Sequence, residues 1–121
     1  MIQRSKDPSD RPGTLPPSEI HRLVDTVQVA TGAVVSRTLM TSAGGTVTAF
    51  AFDAGQSLSE HSAPFDALVQ LLDGELVVTI SGDDFSLSPG DAIVMPANVP
   101  HAVRAPAASR WTLVMLKSPK E

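Results

Sequence analysis

The sequence predicts a small all-β protein, an antiparallel barrel or sandwich of six to eight short strands with an N-terminal arm. From Ala33 onward, apolar and polar side chains alternate with a period of two, which is typical of strands. Turn-forming pairs that contain glycine or proline recur at short intervals. The 121 residues suffice for one domain with a modest core. We assign residues 1–17 to the arm and residues 18–121 to the barrel.

The N-terminal region is predicted to pass from an extended arm into one short helix. Residues 1–17 hold four of the ten prolines and little apolar material, so they cannot bury themselves. From Ile20 to Val27 the apolar residues fall on one helical face, with Ser18 as a candidate N-cap. An extended strand through Val27 and Val29 is the alternative.

The strand pattern is clearest in Thr46–Asp53, where small apolar residues occupy one face and Thr and Phe the other. The further predicted strands are Leu68–Leu72, Leu76–Ser81, Phe85–Leu87, Ala92–Met95, His101–Arg104 and Arg110–Leu116. A turn at Asp73-Gly74 is predicted between the strands Leu68–Leu72 and Leu76–Ser81, because glycine accepts positive φ.

The composition excludes several classes of function. Nine scattered Lys and Arg and a net charge of −4 leave no basic face for nucleic acid or an anionic membrane. The absence of cysteine excludes disulfides and thiolate chemistry. No apolar stretch approaches the ~18–20 residues of a membrane span, and the N terminus lacks the apolar core of a signal peptide. We therefore expect a cytoplasmic protein.

Two gapless motifs carry the most specific signal. In the first, Gly55 is followed by His61 and later by Gly74; in the second, Gly90 is followed by the segment PANVPH, which ends at His101. Both spacings resemble the signature motifs of the cupin superfamily. The segment HSAPFDALVQLLDGE is similar to the corresponding segment of short bacterial single-domain cupins of the type-2 (RmlC-like) group. The resemblance covers roughly residues 33–116 and implies a jelly-roll barrel, often dimeric.

The resemblance implies a four-ligand metal site, and this chain lacks two of the four ligands. Ala63 and Ala67 stand where the family pattern has a second His and a Glu. His61 and His101 are thus the candidate metal ligands. Strand residues two apart point to the same side, so His61 should face the barrel interior and His101 should approach from a neighbouring strand. Two imidazoles in an apolar cavity suit a divalent Zn, Ni, Fe, Mn or Cu ion.

The pocket around the histidines is predicted to include Ala63, Asp66, Ala67, Val69, Gln70 and Met95. Asp66 could supply a ligand only if a local bulge turned it inward. Gln70 alternates along its strand with the inward-facing Val69, so its side chain is expected to point away from the cavity. His21 lies outside both motifs, although an N-terminal segment could fold over the barrel mouth. Trp111 is expected to be buried with its N–H satisfied, and Met40, Met95 and Met115 to be core fillers.

Three interpretations of the histidine pair remain open: a metal-free polar pair, a metal site of reduced ligand number, or an exposed pair. Three functions correspond to them. The barrel could bind a small molecule or metal without turnover, act as a metal-dependent oxygenase or isomerase, or act as a metal-free epimerase with a histidine base. The absence of tyrosine counts against the epimerase, because family members of that kind pair His with Tyr.

The expected partners are a small molecule and a second copy of the chain. Because the predicted pocket is largely apolar, an apolar or aromatic ligand is favoured over a free sugar. An edge strand in so small a barrel must be paired or protected. We therefore predict a homodimer whose N-terminal arm packs on the partner subunit.

Overall fold

Seven strands form the regular structure of residues 13–117, the part of the chain that the computed structural model describes. They are β1 (Val34–Ser42), β2 (Gly45–Phe52), β3 (Ser57–His61), β4 (Asp66–Ile80), β5 (Asp83–Leu87), β6 (Ala92–Met95) and β7 (His101–Leu116). One 3₁₀ turn, Leu23–Thr26, precedes them. The predicted all-β barrel is confirmed, while residues 1–12 of the predicted arm lie outside the described residues.

The two longest strands, β4 and β7, pair along their whole length in one seven-stranded sheet, whose two parts have different strand orders. The first half of β4 and the second half of β7 belong to a sheet ordered β1-β2-β7-β4-β6. Their other halves belong to a sheet ordered β3-β7-β4-β5. Register shifts between Leu71 and Val77 mark the bend from one sheet to the other. We call the part ordered β1-β2-β7-β4-β6 the first sheet and the part ordered β3-β7-β4-β5 the second sheet.

The turn predicted at Asp73-Gly74 is wrong, because β4 continues through it. Gly74 has φ of 85° and lies among the register shifts of the bend, where an added Cβ would collide with the carbonyl oxygen of Ala108. Positive φ was predicted correctly, but it serves a bulge inside one long strand. The predicted strands His101–Arg104 and Arg110–Leu116 are likewise one strand, β7.

The main core lies between the two sheets, and a second cluster covers the outer face of the first sheet. Phe50 stacks on Trp111 with ring centroids 4.5 Å apart in the main core. Ala49 and Ala51, which alternate with the phenylalanines along β2, pack in the second cluster with Val27. The predicted alternation of β2 is therefore confirmed, and both of its faces are covered.

Residues 13–30, which we call the strap, lie over the outer face of the first sheet. Arg37 donates from Nε to Gly13 O (2.6 Å) and from Nη1 to Thr26 O (3.1 Å). Arg110 donates from Nη1 to Val24 O (2.8 Å). Side chains from the strands thus satisfy carbonyls of the strap. Residues 13–17 of the predicted arm accordingly lie on the sheet of the same chain.

The helix predicted between Ser18 and Gly32 is reduced to the single 3₁₀ turn. Ser18 is not its N-cap: its φ is 62°, and the capping position is Arg22, which makes no side-chain cap. Ile20, expected on the buried helical face, is fully exposed. Within residues 13–117, no helix is long and apolar enough to cross a membrane.

Candidate metal centre

The structure brings His61 and His101 together. His61 ends β3, His101 begins β7, and the two residues are paired in register. Their Nε2 atoms lie 3.2 Å apart, and the rings meet edge to face with centroids 4.4 Å apart. His101 does approach His61 from a neighbouring strand, as predicted. His61, which was expected to face the barrel interior, lines the cavity but is exposed.

Asn98 fixes the loop that delivers His101 to this position. It adopts φ of 65°, and its backbone N–H donates to Ala63 O at 2.7 Å. Asparagine tolerates the left-handed region better than other non-glycine residues. The loop before His101 is thereby tied to the segment after His61.

The backbone fixes the tautomer of both rings. His61 Nδ1 lies 2.9 Å from Ser59 O, and His101 Nδ1 lies 3.2 Å from Val99 O. A carbonyl oxygen only accepts, so each Nδ1 carries the proton and donates it. In a neutral imidazole the other nitrogen is then a bare acceptor. Two bare Nε2 lone pairs therefore converge at 3.2 Å, an arrangement that requires a cation between them or a proton on one ring.

The two rings differ in environment. His101 is only 5% exposed, whereas His61 is exposed at the mouth of the cavity. Burial, and secondarily the charge of His61, lowers the pKa of His101. The lowered pKa of His101 favours its neutral ring, whose Nε2 can then act as a metal ligand or as a hydrogen-bond acceptor.

A narrow apolar cavity of about 50 Å³ adjoins the two rings. Besides the histidines, it is lined by Leu58, Ala63, Phe65, Ala67, Met95, Val103, Trp111, Leu113 and Met115. A cavity needs a volume of roughly 10–15 Å³ to hold one water molecule. This cavity therefore admits a few heavy atoms and no sugar ring. Three of the predicted pocket residues, Ala63, Ala67 and Met95, are among the lining residues.

The other predicted pocket residues lie elsewhere. Asp66 is exposed, and its Oδ1 accepts from Ala97 N–H at 2.9 Å, so no bulge turns it inward. Val69 is fully buried in the core and does not line the cavity. Gln70 faces outward, as its parity required, and accepts from Thr112 Oγ1 at 2.9 Å. His21 stays on the strap, where Nε2 donates to Pro16 O.

Two expectations about single residues were wrong. Trp111 is fully buried, yet its Nε1 finds no hydrogen-bond partner among residues 13–117. Met40, expected in the core, is 63% exposed on the edge strand β1.

Four residues that line the cavity were not predicted from the sequence: Leu58, Phe65, Val103 and Leu113. Strand parity could have found Leu113, which lies two residues after Trp111, and Val103, two residues after His101.

A family model for the cupin domain matches residues 49–116, which is more than half of the chain and includes both histidines. The chain belongs to the cupin family. A search of curated proteins finds no match to this cupin. Its activity must therefore be argued from its own site.

Solved structures agree with the family assignment. A conserved protein of unknown function from Streptococcus pyogenes is 33% identical, with a TM-score of 0.83 over 88% of this chain and 94% of that one. A cupin superfamily protein from Desulfitobacterium hafniense is 27% identical, with a TM-score of 0.81 over 87% and 96%. A cupin 2 conserved barrel protein from Leptotrichia buccalis is 36% identical, with a TM-score of 0.76, but this chain spans only 46% of it.

Among the described residues, the donors at this site are the two histidines. Within residues 13–117, no group of three or more His, Asp or Glu side chains converges on a point that could hold a metal ion. Ala63 and Ala67 line the cavity without offering donor atoms. Any ion held here would keep several coordination positions for donors from outside the protein.

Proposed function

We propose that this cupin binds a divalent transition metal through Nε2 of His61 and Nε2 of His101, together with a small, largely apolar ligand in the adjoining cavity. The observation that carries the proposal is the pair of bare Nε2 atoms 3.2 Å apart. With both Nδ1–H groups committed to backbone carbonyls, the two lone pairs repel unless a metal ion lies between them or one Nε2 carries a proton.

The donor geometry fits a metal ion. Imidazole nitrogens bind transition metals at about 2.0–2.1 Å. Two nitrogens at that distance from one ion are about 3.0 Å apart in octahedral and about 3.4 Å apart in tetrahedral coordination. The observed 3.2 Å falls between these values. The Nδ1 contacts to Ser59 O and Val99 O are the orienting hydrogen bonds that metal-binding histidines ordinarily make.

The chain's own residues define what can share the site. His61 stands at the mouth, where an incoming ligand first meets it, while His101 is anchored inside. The apolar wall favours a hydrocarbon group of few atoms. When bound, a divalent ion supplies Lewis acidity toward a donor oxygen of that ligand.

The two enzymatic alternatives receive different support. A metal-dependent oxygenase or isomerase would use the same two nitrogens and differs only in turnover. A metal-free epimerase needs an acid opposite its base. Apart from the histidines, the one lining side chain with an N–H or O–H donor is Trp111, whose indole is not an acid at neutral pH. The cavity is also too small for a sugar.

Calorimetric titration of metal-free, untagged protein with Zn²⁺, Ni²⁺ and Co²⁺ tests the proposal. We expect saturable binding of one ion, weakened about 100-fold or more in His61→Ala and in His101→Ala. His21→Ala is the matched control, because His21 lies on the strap and should leave the affinity unchanged. Ala63→His should tighten binding by adding a donor at the cavity wall. Equal weakening by His21→Ala, or the absence of saturable binding in the wild type, would refute the proposal.

A further inference from the structure

Two loops join the strands that carry the histidine pair. Residues 62–65, which we call the first loop, connect His61 at the end of β3 to β4. Residues 96–100, which we call the second loop, connect β6 to His101 at the start of β7. Because each loop begins or ends at one of the histidines, contacts between the two loops fix the imidazoles relative to each other.

The second loop commits most of its backbone donors to the first loop and to the residue that follows it. Prolines occupy the first and last positions of the second loop, and proline has no backbone N–H, so only residues 97–99 can donate. Ala97 N–H donates to Asp66 Oδ1 at 2.9 Å, and Asn98 N–H donates to Ala63 O at 2.7 Å. Two of the three available donors therefore tie the loops together.

Asp66 provides one of these contacts through its side chain. It is the first residue of β4, its side chain is exposed, and it does not line the cavity. An ionised carboxylate forms a stronger hydrogen bond with a backbone N–H than a neutral acceptor does. Since this side chain lies outside the core, its contact with Ala97 can be removed without leaving a void in the barrel.

The second loop also contains the carbonyl that sets the tautomer of His101. Val99 O accepts from His101 Nδ1 at 3.2 Å, whereas the partner of His61 Nδ1, Ser59 O, lies in β3. If the second loop moved, His101 would lose its acceptor while His61 would keep its own. A released His101 ring carries its proton on Nε2 instead and donates it to Nε2 of His61, 3.2 Å away, which removes the lone-pair repulsion.

We propose that Asp66 is a positioning residue of the histidine pair. By holding Ala97 in the second loop, its carboxylate keeps Val99 O where His101 must donate from Nδ1, so that Nε2 of His101 stays bare. The consequence for metal affinity rests on the proposed function, because only a bare Nε2 binds a metal ion. The consequence for the tautomer of His101 does not require a metal.

Substitutions of Asp66 test the role in metal-free protein. In long-range ¹H–¹⁵N spectra at a pH well above the ordinary histidine pKa, Asp66→Ala should shift His101 toward the Nε2-protonated tautomer. His61 should keep its proton on Nδ1, because Ser59 O does not move. Asp66→Asn retains an acceptor oxygen without the charge and should give the wild-type spectrum.

Asp91→Ala is the matched control. Asp91 is also exposed, and its Oδ2 accepts from Ser88 N–H at 2.9 Å, the same distance as in the Asp66 contact. It lies between β5 and β6, in a loop without a histidine. Because Asp91→Ala removes the same charge as Asp66→Ala, it separates a general electrostatic effect from the loss of the loop contact.

Calorimetric titration of the same variants with Zn²⁺ measures the consequence for the site. Asp66→Ala should weaken binding about 10-fold, as loss of an outer-shell contact does. Binding should not be abolished, because Asn98 N–H still donates to Ala63 O, and Ser81 N–H to Pro100 O. Asp66→Asn and Asp91→Ala should bind as the wild type does.

Circular dichroism melts establish that each variant is folded, and Asp66→Val, which suits the start of a strand, is the second variant without an acceptor. A tautomer change confined to His101 in Asp66→Ala or Asp66→Val supports the proposal. It does so even if the wild type binds no Zn²⁺, a result that refutes only the proposed metal centre. The positioning role is overturned if folded Asp66→Ala and Asp66→Val give the wild-type spectrum, or if Asp66→Asn or Asp91→Ala changes the tautomer equally. Unchanged Zn²⁺ affinity in Asp66→Ala, beside a wild type that binds, also overturns it.

Discussion

His61 and His101 face each other through Nε2 atoms 3.2 Å apart, and neither nitrogen holds a proton when both rings are neutral. The cause is local, because each ring donates Nδ1–H to the carbonyl two residues before it, Ser59 O and Val99 O respectively. The fold thus sets two lone pairs against each other beside an apolar cavity. This relationship underlies the proposed metal centre.

The tautomers can be observed directly. In metal-free protein at a pH well above the ordinary histidine pKa, long-range ¹H–¹⁵N correlation spectra should show Nδ1 protonated and Nε2 bare for both His61 and His101. His21, which donates from Nε2 to Pro16 O, should show the opposite tautomer and serves as an internal control. An Nε2-protonated signal from both members of the pair would contradict the arrangement.

The stability of the metal-free protein should depend on pH through His101. Burial and the charge of His61 lower the pKa of His101 in the folded state below its ordinary 6.5. The unfolded chain therefore takes up this proton at a higher pH than the folded chain does. The free energy of unfolding should fall as the pH drops below about 6.5, and this contribution becomes constant below the folded-state pKa.

Urea titrations between about pH 8 and pH 5 measure this dependence, since the window brackets the ordinary histidine pKa. His101→Gln should flatten the slope, and His21→Gln should leave it as in the wild type. The interpretation fails if the wild type becomes more stable as the pH drops, or if His101→Gln leaves the slope unchanged.

Gly74 and Gly55 form a matched pair for testing the bend in β4. Both have φ of 85°, but a Cβ would strike Ala108 O at Gly74 and meets nothing within 4 Å at Gly55. Gly55→Ala should lower the free energy of unfolding by about 1–2 kcal/mol, through backbone strain alone. Gly74→Ala should lower it by about 3 kcal/mol or more, because the backbone must also move. Equal losses in chemical denaturation would show that the bend tolerates a side chain.

The contacts of Arg110 should stabilise the strap. Its guanidinium pairs with Asp73 through Nε and Nη2 and donates to Val24 O, and the side chain is largely buried. Arg110→Met should lower the free energy of unfolding by about 1–2 kcal/mol. It should also speed hydrogen exchange in the strap.

Arg104→Met provides the comparison, because Arg104 pairs with Asp84 of β5 at a half-exposed site. That variant should change stability little, since exposed ion pairs contribute little. Unchanged exchange in the strap of Arg110→Met would show that other contacts hold it.

Much of the barrel could be predicted because its signals are local. Alternation along β2 fixed its two faces, and the positive φ of Gly74 followed from residue type. The bend at Gly74 was mistaken for a turn because β7 runs alongside it from a segment far away in sequence. Turn residues do not reveal whether the partner strand continues.

The strap and the tautomers could not be predicted for a related reason. The apolar spacing from Ile20 to Val27 suggested a helix, but Arg37 and Arg110 bind the carbonyls of that segment from distant strands. The motifs placed His61 and His101 side by side, whereas their protonation depends on carbonyls that only the folded backbone positions.

Elemental analysis of protein purified without a polyhistidine tag tests the central claim most directly. The proposed centre predicts about one equivalent of a transition metal in the wild type and in His21→Ala, and none in the His61→Ala, His101→Ala double variant. If the wild type retains no metal after reconstitution with Fe, Mn, Ni, Cu and Zn salts, or if the double variant retains as much, the two histidines are not a metal centre.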